Sequence, residues 1–165
     1  MRSYKIILII VFFIFLVNGC TNKNLEFKTK SEFQQLNQVS TIGTQIGNIP
    51  PDFTVVTTDG KAARLSDFTE NKKPVIVYFM ATWCPYCAED YRELSKVYKD
   101  YEDNISMISI SLDLNEDLFT LREYKKKYPA LQKTMFAPGQ TEILANYRIT
   151  KTTTKYAIDG NGKII

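Results

Sequence analysis

Val75-Ile76-Val77-Tyr78-Phe79-Met80, followed at once by Ala81-Thr82-Trp83-Cys84-Pro85-Tyr86-Cys87, is the stretch that decides the fold. Six apolar residues introduced by Pro74 have the length and composition of a strand buried on both faces. A helical pattern begins at Cys84 and carries Tyr91, Leu94, Tyr98 and Tyr101 at helical spacing. Cys84 therefore stands at a helix N-terminus, where free backbone N–H groups and the positive end of the dipole favour a thiolate. Such a site lowers a thiol pKa from about 8.5 towards or below neutrality. The spacing of three puts Cys87 one turn along the same face, within disulfide reach. Pro85 suits the first turn, where a missing N–H does little harm. Cys84 reads as the exposed nucleophile and Cys87 as the thiol that resolves a mixed disulfide, with Trp83 packed beside the sulfurs.

Working outward, residues 53–57 read as a short strand, Thr58-Asp59-Gly60 as a turn, and a second strand leads to Leu65. Ser66-Asp67 then caps a helical turn. Residues 105–112 form the next strand, 116–128 a helix that stops at Pro129, 141–147 a shorter helix, and 154–158 a strand. Asp159-Gly160-Asn161-Gly162 is a hairpin turn into Lys163-Ile164-Ile165. Strands alternating with helices and ending in a hairpin imply a three-layer α/β domain with a mixed central sheet, over residues 47–165.

The chain of 165 residues is 44% hydrophobic and 24% charged, with 21 Lys and Arg against 18 Asp and Glu. Those proportions exclude a disordered acidic tail, a collagen-like repeat and a multi-span membrane protein. Arg2 and Lys5 fall in a segment expected to be removed, and the remainder is near neutral, so no nucleic-acid footprint survives. There is no His, which excludes His-dependent triads, His metal sites and His proton shuttles. A Cys-x-x-Cys pair can also be half a zinc site or an inert structural disulfide. The first lacks a third and fourth ligand from Cys or His. No cofactor and no resident metal are expected.

Residues 1–5 are short and basic, 6–17 are an unbroken apolar run, and Asn18-Gly19-Cys20 follows. Twelve residues of helix rise about 18 Å, well short of a hydrocarbon core of roughly 30 Å. The run reads as a secretory signal covering residues 1–19. Val17-Asn18-Gly19-Cys20 resembles the lipobox of prokaryotic lipoproteins, in which the Cys is lipidated; the alternative is an uncleaved membrane anchor with Cys20 an incidental thiol. Both place the domain outside the cytoplasm on a membrane, a compartment that tolerates disulfides. Residues 20–46 are polar and read as a tether.

Residues 49–165 resemble the membrane-tethered thiol–disulfide oxidoreductases of the thioredoxin fold, the TlpA/ResA-like group. The resemblance rests on Pro51-Asp52-Phe53, Asp59-Gly60-Lys61, Leu65-Ser66-Asp67-Phe68, the stretch from Val75 to Cys87, Tyr156-Ala157-Ile158-Asp159 and Gly162-Lys163. It implies an extracytoplasmic protein acting on protein thiols and disulfides, with apocytochrome c and a membrane electron donor as candidate partners. Glutaredoxins share Cys-Pro-Tyr-Cys but lack the Ala-Thr-Trp lead. A copper chaperone of the Sco type needs a distant His. A peroxiredoxin needs Thr or Ser three residues before a lone Cys.

Three features depart from the group's pattern. Thr152-Thr153-Thr154 stands where members carry a cis-Pro opposite the dithiol. A cis bond before a residue other than Pro costs about 2.5–4 kcal/mol, so Thr153 is expected to be trans or strained. Its hydroxyl could donate to a thiolate, and loss of the proline ring would ease capture of a soft metal. A non-turnover module that binds a metal or partner through the dithiol is thus the second function class. Tyr78 stands where relatives place a carboxylate or Asn, and Asp90 is the substitute proton acceptor, or else a solvated helix-face carboxylate. The fold normally continues past Lys163 into a final helix; here the sequence ends at Ile165, and an apolar sheet face is expected to lie bare.

Overall fold

The computed structural model describes residues 41–165. The expected signal segment, the lipidated Cys20 and most of the tether lie outside the described residues. Residues 41–46, expected to be tether, are held to the domain's first turn. Gly43 N–H donates to the Ile49 carbonyl and Ile49 N–H to that of Thr41, while Gly47 and Asn48 exchange hydrogen bonds with Ile164.

A hairpin of β1 (Thr54–Val56) and β2 (Ala62–Arg64) comes first. Its turn closes with Gly60 at φ +79°, a conformation that glycine adopts without steric penalty. Helix α1 (Leu65–Glu70) follows directly. Its first turn is not capped by Ser66 or Asp67. Instead Asp52, fourteen residues upstream, accepts both the Ser66 N–H and the Ser66 hydroxyl at 3.0 Å.

The main sheet has the order β5-β4-β3-β6, with β3 (Val75–Met80) and β4 (Ser106–Ser111) parallel at its centre. The parallel edge strand β5 (Met135–Ala137) was not legible in the sequence, whereas β6 (Thr154–Ile158) runs antiparallel to β3 as the mixed sheet requires. Val75, Val77 and Phe79 pack with Ile108 and Ile110 against the hairpin, α1 and α4 (Thr141–Asn146). On the other face Tyr78 and Met80 pack against α2 (Pro85–Val97) and α3 (Leu118–Lys125). Both faces of β3 are thus buried, as its unbroken apolar run implies.

The second core is built on aromatic rings. Tyr91 contacts Tyr78, Tyr124, Tyr128 and Phe136 at centroid separations of 5.2–5.9 Å. Tyr91 and Tyr98 are buried as their helical spacing predicts, but α2 ends at Val97 and a 3-10 turn (Tyr98–Asp100) leaves Tyr101 exposed. On the α2 face β6 presents Lys155 and Ala157. Among the described residues, the uncovered part of that face next to β6 therefore begins with a cation and a methyl group rather than a broad apolar surface.

Candidate active site

The chain leaves β3 at Met80 and reaches α2 through four residues. Cys84 is the N-cap of α2 and Pro85 its first residue. The Cys84 Sγ accepts the Cys87 N–H at 3.2 Å, so the sulfur itself satisfies one of the free donors of the first turn. Both cysteines are free thiols in this structure and lie one helical turn apart.

Contrary to the expected exposed nucleophile, Cys84 keeps only 2% of its surface, and Cys87 keeps none. The difference between them lies in what surrounds each sulfur. Burial opposes ionisation of Cys84, but hydrogen bonds from the Cys87 thiol, the Thr152 hydroxyl and the backbone N–H groups of Cys87 and Tyr86 outweigh it. The net effect holds its pKa below the ordinary thiol value. Cys87 is pushed up, first by burial and then by the neighbouring Cys84 sulfur; the Tyr78 hydroxyl and the Ala81 backbone oppose the rise. One thiol is poised to ionise and the other to stay protonated.

The loop opposite the dithiol differs from expectation by one residue. All described peptide bonds are trans, and Thr153 sits at φ +65°, a left-handed conformation rare for a β-branched residue. Its hydroxyl donates to the Thr152 carbonyl at 2.6 Å. The hydroxyl that meets the sulfur is that of Thr152, 3.2 Å from Cys84 Sγ, able to donate once that sulfur is a thiolate. A proline at 153 would require φ near −65°, the opposite sign, so it does not fit this loop as it stands.

Trp83, expected to pack beside the sulfurs, is 63% exposed, and its indole N–H donates to Asp113 Oδ2 at 2.9 Å. Tyr86 is exposed as well. Asp90 is not hydrogen-bonded to a cysteine: its Oδ2 accepts the Tyr78 hydroxyl at 2.7 Å and Lys155 Nζ at 2.6 Å. Glu116, unnoticed in the sequence, is buried at the start of this site. Its carboxylate accepts the Thr82 N–H at 2.8 Å, the Thr82 hydroxyl at 2.5 Å and the Ser111 hydroxyl at 2.6 Å. No local pattern reveals this, because Thr82 lies 34 residues away. Among the described residues no three His, Cys, Asp or Glu side chains gather into a metal-binding group. The dithiol therefore offers a soft metal two sulfurs and no third ligand of that kind.

The family model for the AhpC/TSA family matches residues 46–165. The chain belongs to that family. Within it, the chain is 29% identical over 121 residues to the thiol-disulfide oxidoreductase ResA of Bacillus cereus, covering 73% of this chain and 68% of the relative. ResA of Bacillus thuringiensis is 30% identical over the same extent. Among solved structures, a putative protein disulfide isomerase from Bacteroides thetaiotaomicron superposes with TM-score 0.63 at 27% identity, covering 76% of this chain and 80% of that one. This member of the AhpC/TSA family is a thioredoxin-like thiol–disulfide oxidoreductase of the ResA kind.

Proposed function

We propose that this AhpC/TSA-family chain exchanges disulfides with partner proteins outside the cytoplasm, using Cys84 as nucleophile and Cys87 as resolving thiol. The observation that carries the roles is the cap: the Cys84 sulfur terminates α2 and accepts the Cys87 N–H, while Cys87 sits buried behind it. In the reducing direction the Cys84 thiolate attacks one sulfur of a partner's disulfide, and the other sulfur leaves as a thiolate. Cys87 then attacks Cys84, releasing the partner's second thiol. Two electrons pass to the partner, and the pair ends as a disulfide for a membrane electron donor to reduce again. Run backwards, the same steps oxidise a dithiol.

The apolar run at residues 6–17 and Cys20 support placement at the outer side of the cell membrane, with a lipid on Cys20 as the tether. Apocytochrome c is a candidate partner, in line with the likeness to the TlpA/ResA-like group. One experiment tests location and nucleophile together. A membrane-impermeant maleimide added to intact reduced cells is expected to label Cys84 in the membrane fraction, and Cys20→Ala is expected to move the label out of that fraction. Labelling only after lysis would contradict the placement. Labelling at Cys87 in preference to Cys84 would contradict the roles.

A further inference from the structure

The chain turns from β3 towards α2 through the peptide group that joins Ala81 to Thr82, and that group is held on both sides. Its carbonyl, on Ala81, accepts the Cys84 N–H at 3.2 Å. Its N–H, on Thr82, donates to Glu116 Oε1 at 2.8 Å, and the Thr82 hydroxyl reaches the same oxygen. Glu116 is itself fixed. Its Oε2 accepts the Ser111 hydroxyl at 2.6 Å, and its N–H donates to the Asp113 carbonyl at 3.1 Å. The loop that carries it begins with the Leu112 N–H bonded to the Met80 carbonyl at 2.8 Å. A buried carboxylate between β4 and α3 is thus joined to the backbone of Cys84 through a single peptide group.

We propose that Glu116 is a positioning residue for the nucleophile: it fixes the plane of the 81–82 peptide and, through the Ala81 carbonyl, holds Cys84 at the N-cap of α2. The proposal rests on the reading of Cys84 as the nucleophile. Among the described residues Glu116 makes no hydrogen bond to either sulfur, so its influence passes through the backbone.

A peptide group is a rigid plate between two soft dihedrals, and in a short connection it turns unless something holds it. Cys84 keeps an extended backbone, φ −79° and ψ 117°, which places its sulfur over the free donors of the helix end. The groups bonded to that sulfur are the Cys87 thiol, the Thr152 hydroxyl and the N–H groups of Cys87 and Tyr86. The two backbone donors serve it only while Cys84 stays at the cap. A carboxylate suits the task because it accepts only and has two oxygens, enough for Thr82 on one and Ser111 on the other. Its charge also polarises the peptide, so the bond at the Thr82 N–H strengthens the bond at the Ala81 carbonyl. A residue that merely adds stability would leave the reactivity of Cys84 in the folded protein unchanged.

The test is the rate at which iodoacetamide alkylates Cys84 in the reduced full chain, followed by mass against pH. Glu116→Ala is expected to slow Cys84 at pH 7 by at least about fivefold and to move the midpoint of its pH profile upward. That is less than a full hydrogen bond to a charged group, because a thiolate of higher pKa is intrinsically more reactive. Glu116→Asp keeps the charge but withdraws it from Thr82 by one methylene, and is expected to give the same slowing even if Glu116→Ala folds poorly. Glu116→Gln keeps an acceptor oxygen and is expected to stay within about twofold of wild type. A wild-type profile in folded Glu116→Ala or Glu116→Asp overturns the positioning role. Glu116→Gln as slow as Glu116→Ala would trace the effect to charge and overturn the backbone route. Amide exchange in the wild type needs no variant: the Thr82 and Cys84 N–H groups are expected to exchange at least about a hundredfold slower than in an unstructured chain. Fast exchange at either breaks the proposed connection. A wild-type chain in which Cys87 reacts before Cys84 overturns the underlying roles instead.

Discussion

Cys84→Ser is expected to reduce disulfide exchange to background, a loss of roughly a thousandfold or more, because a hydroxyl supplies no thiolate at neutral pH. Cys87→Ser is expected to behave differently: it loses turnover but accumulates a stable mixed disulfide on Cys84. The asymmetry follows from position. Cys84 is the helix cap with its thiolate supported by the Cys87 N–H and Thr152 hydroxyl, and Cys87 is sealed behind it with its ionisation opposed. Non-reducing electrophoresis of both variants after exposure to a disulfide-bonded substrate reads the result. A trapped adduct on Cys87 in the Cys84→Ser variant would reverse the assignment.

Glu116→Ala is expected to lower folding stability by about 3–5 kcal/mol. Hydrogen bonds to a charged acceptor contribute about 1.5–3 kcal/mol each, and a buried donor left unpaired adds its own desolvation penalty. Truncation strips one backbone N–H and two hydroxyls of their shared acceptor in a site where Glu116 is only 6% exposed. Glu116→Gln keeps an acceptor oxygen and is expected to lose about 1–2 kcal/mol. Because Thr82 lies two residues before Cys84, loss of this clamp is also expected to loosen the segment that presents the Cys84 sulfur. Urea unfolding of the two variants checks both values; equal stability of Glu116→Ala and wild type would show that the carboxylate holds nothing in place.

These contacts mark the division between what the sequence discloses and what it does not. The buried strand, the helix start at Cys84 and the hairpin at residues 159–162 depend on neighbours in the chain, and their patterns stand in consecutive letters. The edge strand Met135–Ala137 is too short to show alternation, and its pairing with β4 is decided across 27 residues. The Asp52 cap on α1 and the Glu116 clamp on Thr82 are likewise long-range polar contacts between residues with no local signature. Tyr78 and Asp90 each stand out by residue type, yet only the packing of α2 on β3 brings hydroxyl and carboxylate together. The opposing loop shows how fine the limit is. A left-handed backbone at Thr153 turns its hydroxyl back onto Thr152, and so the neighbouring threonine, not Thr153, meets the sulfur.

The reduction potential of the Cys84–Cys87 pair decides whether it is a redox dithiol. The full chain is equilibrated in glutathione and dithiothreitol buffers of graded potential, quenched, and its thiols counted by mass. A redox dithiol is expected to show one reversible two-electron transition, confined to Cys84 and Cys87, at roughly −120 to −300 mV, the span of thioredoxin-fold exchange proteins. A bond that stays closed below about −300 mV would mark a structural disulfide, and a pair that never closes would show that these thiols do not exchange electrons at all.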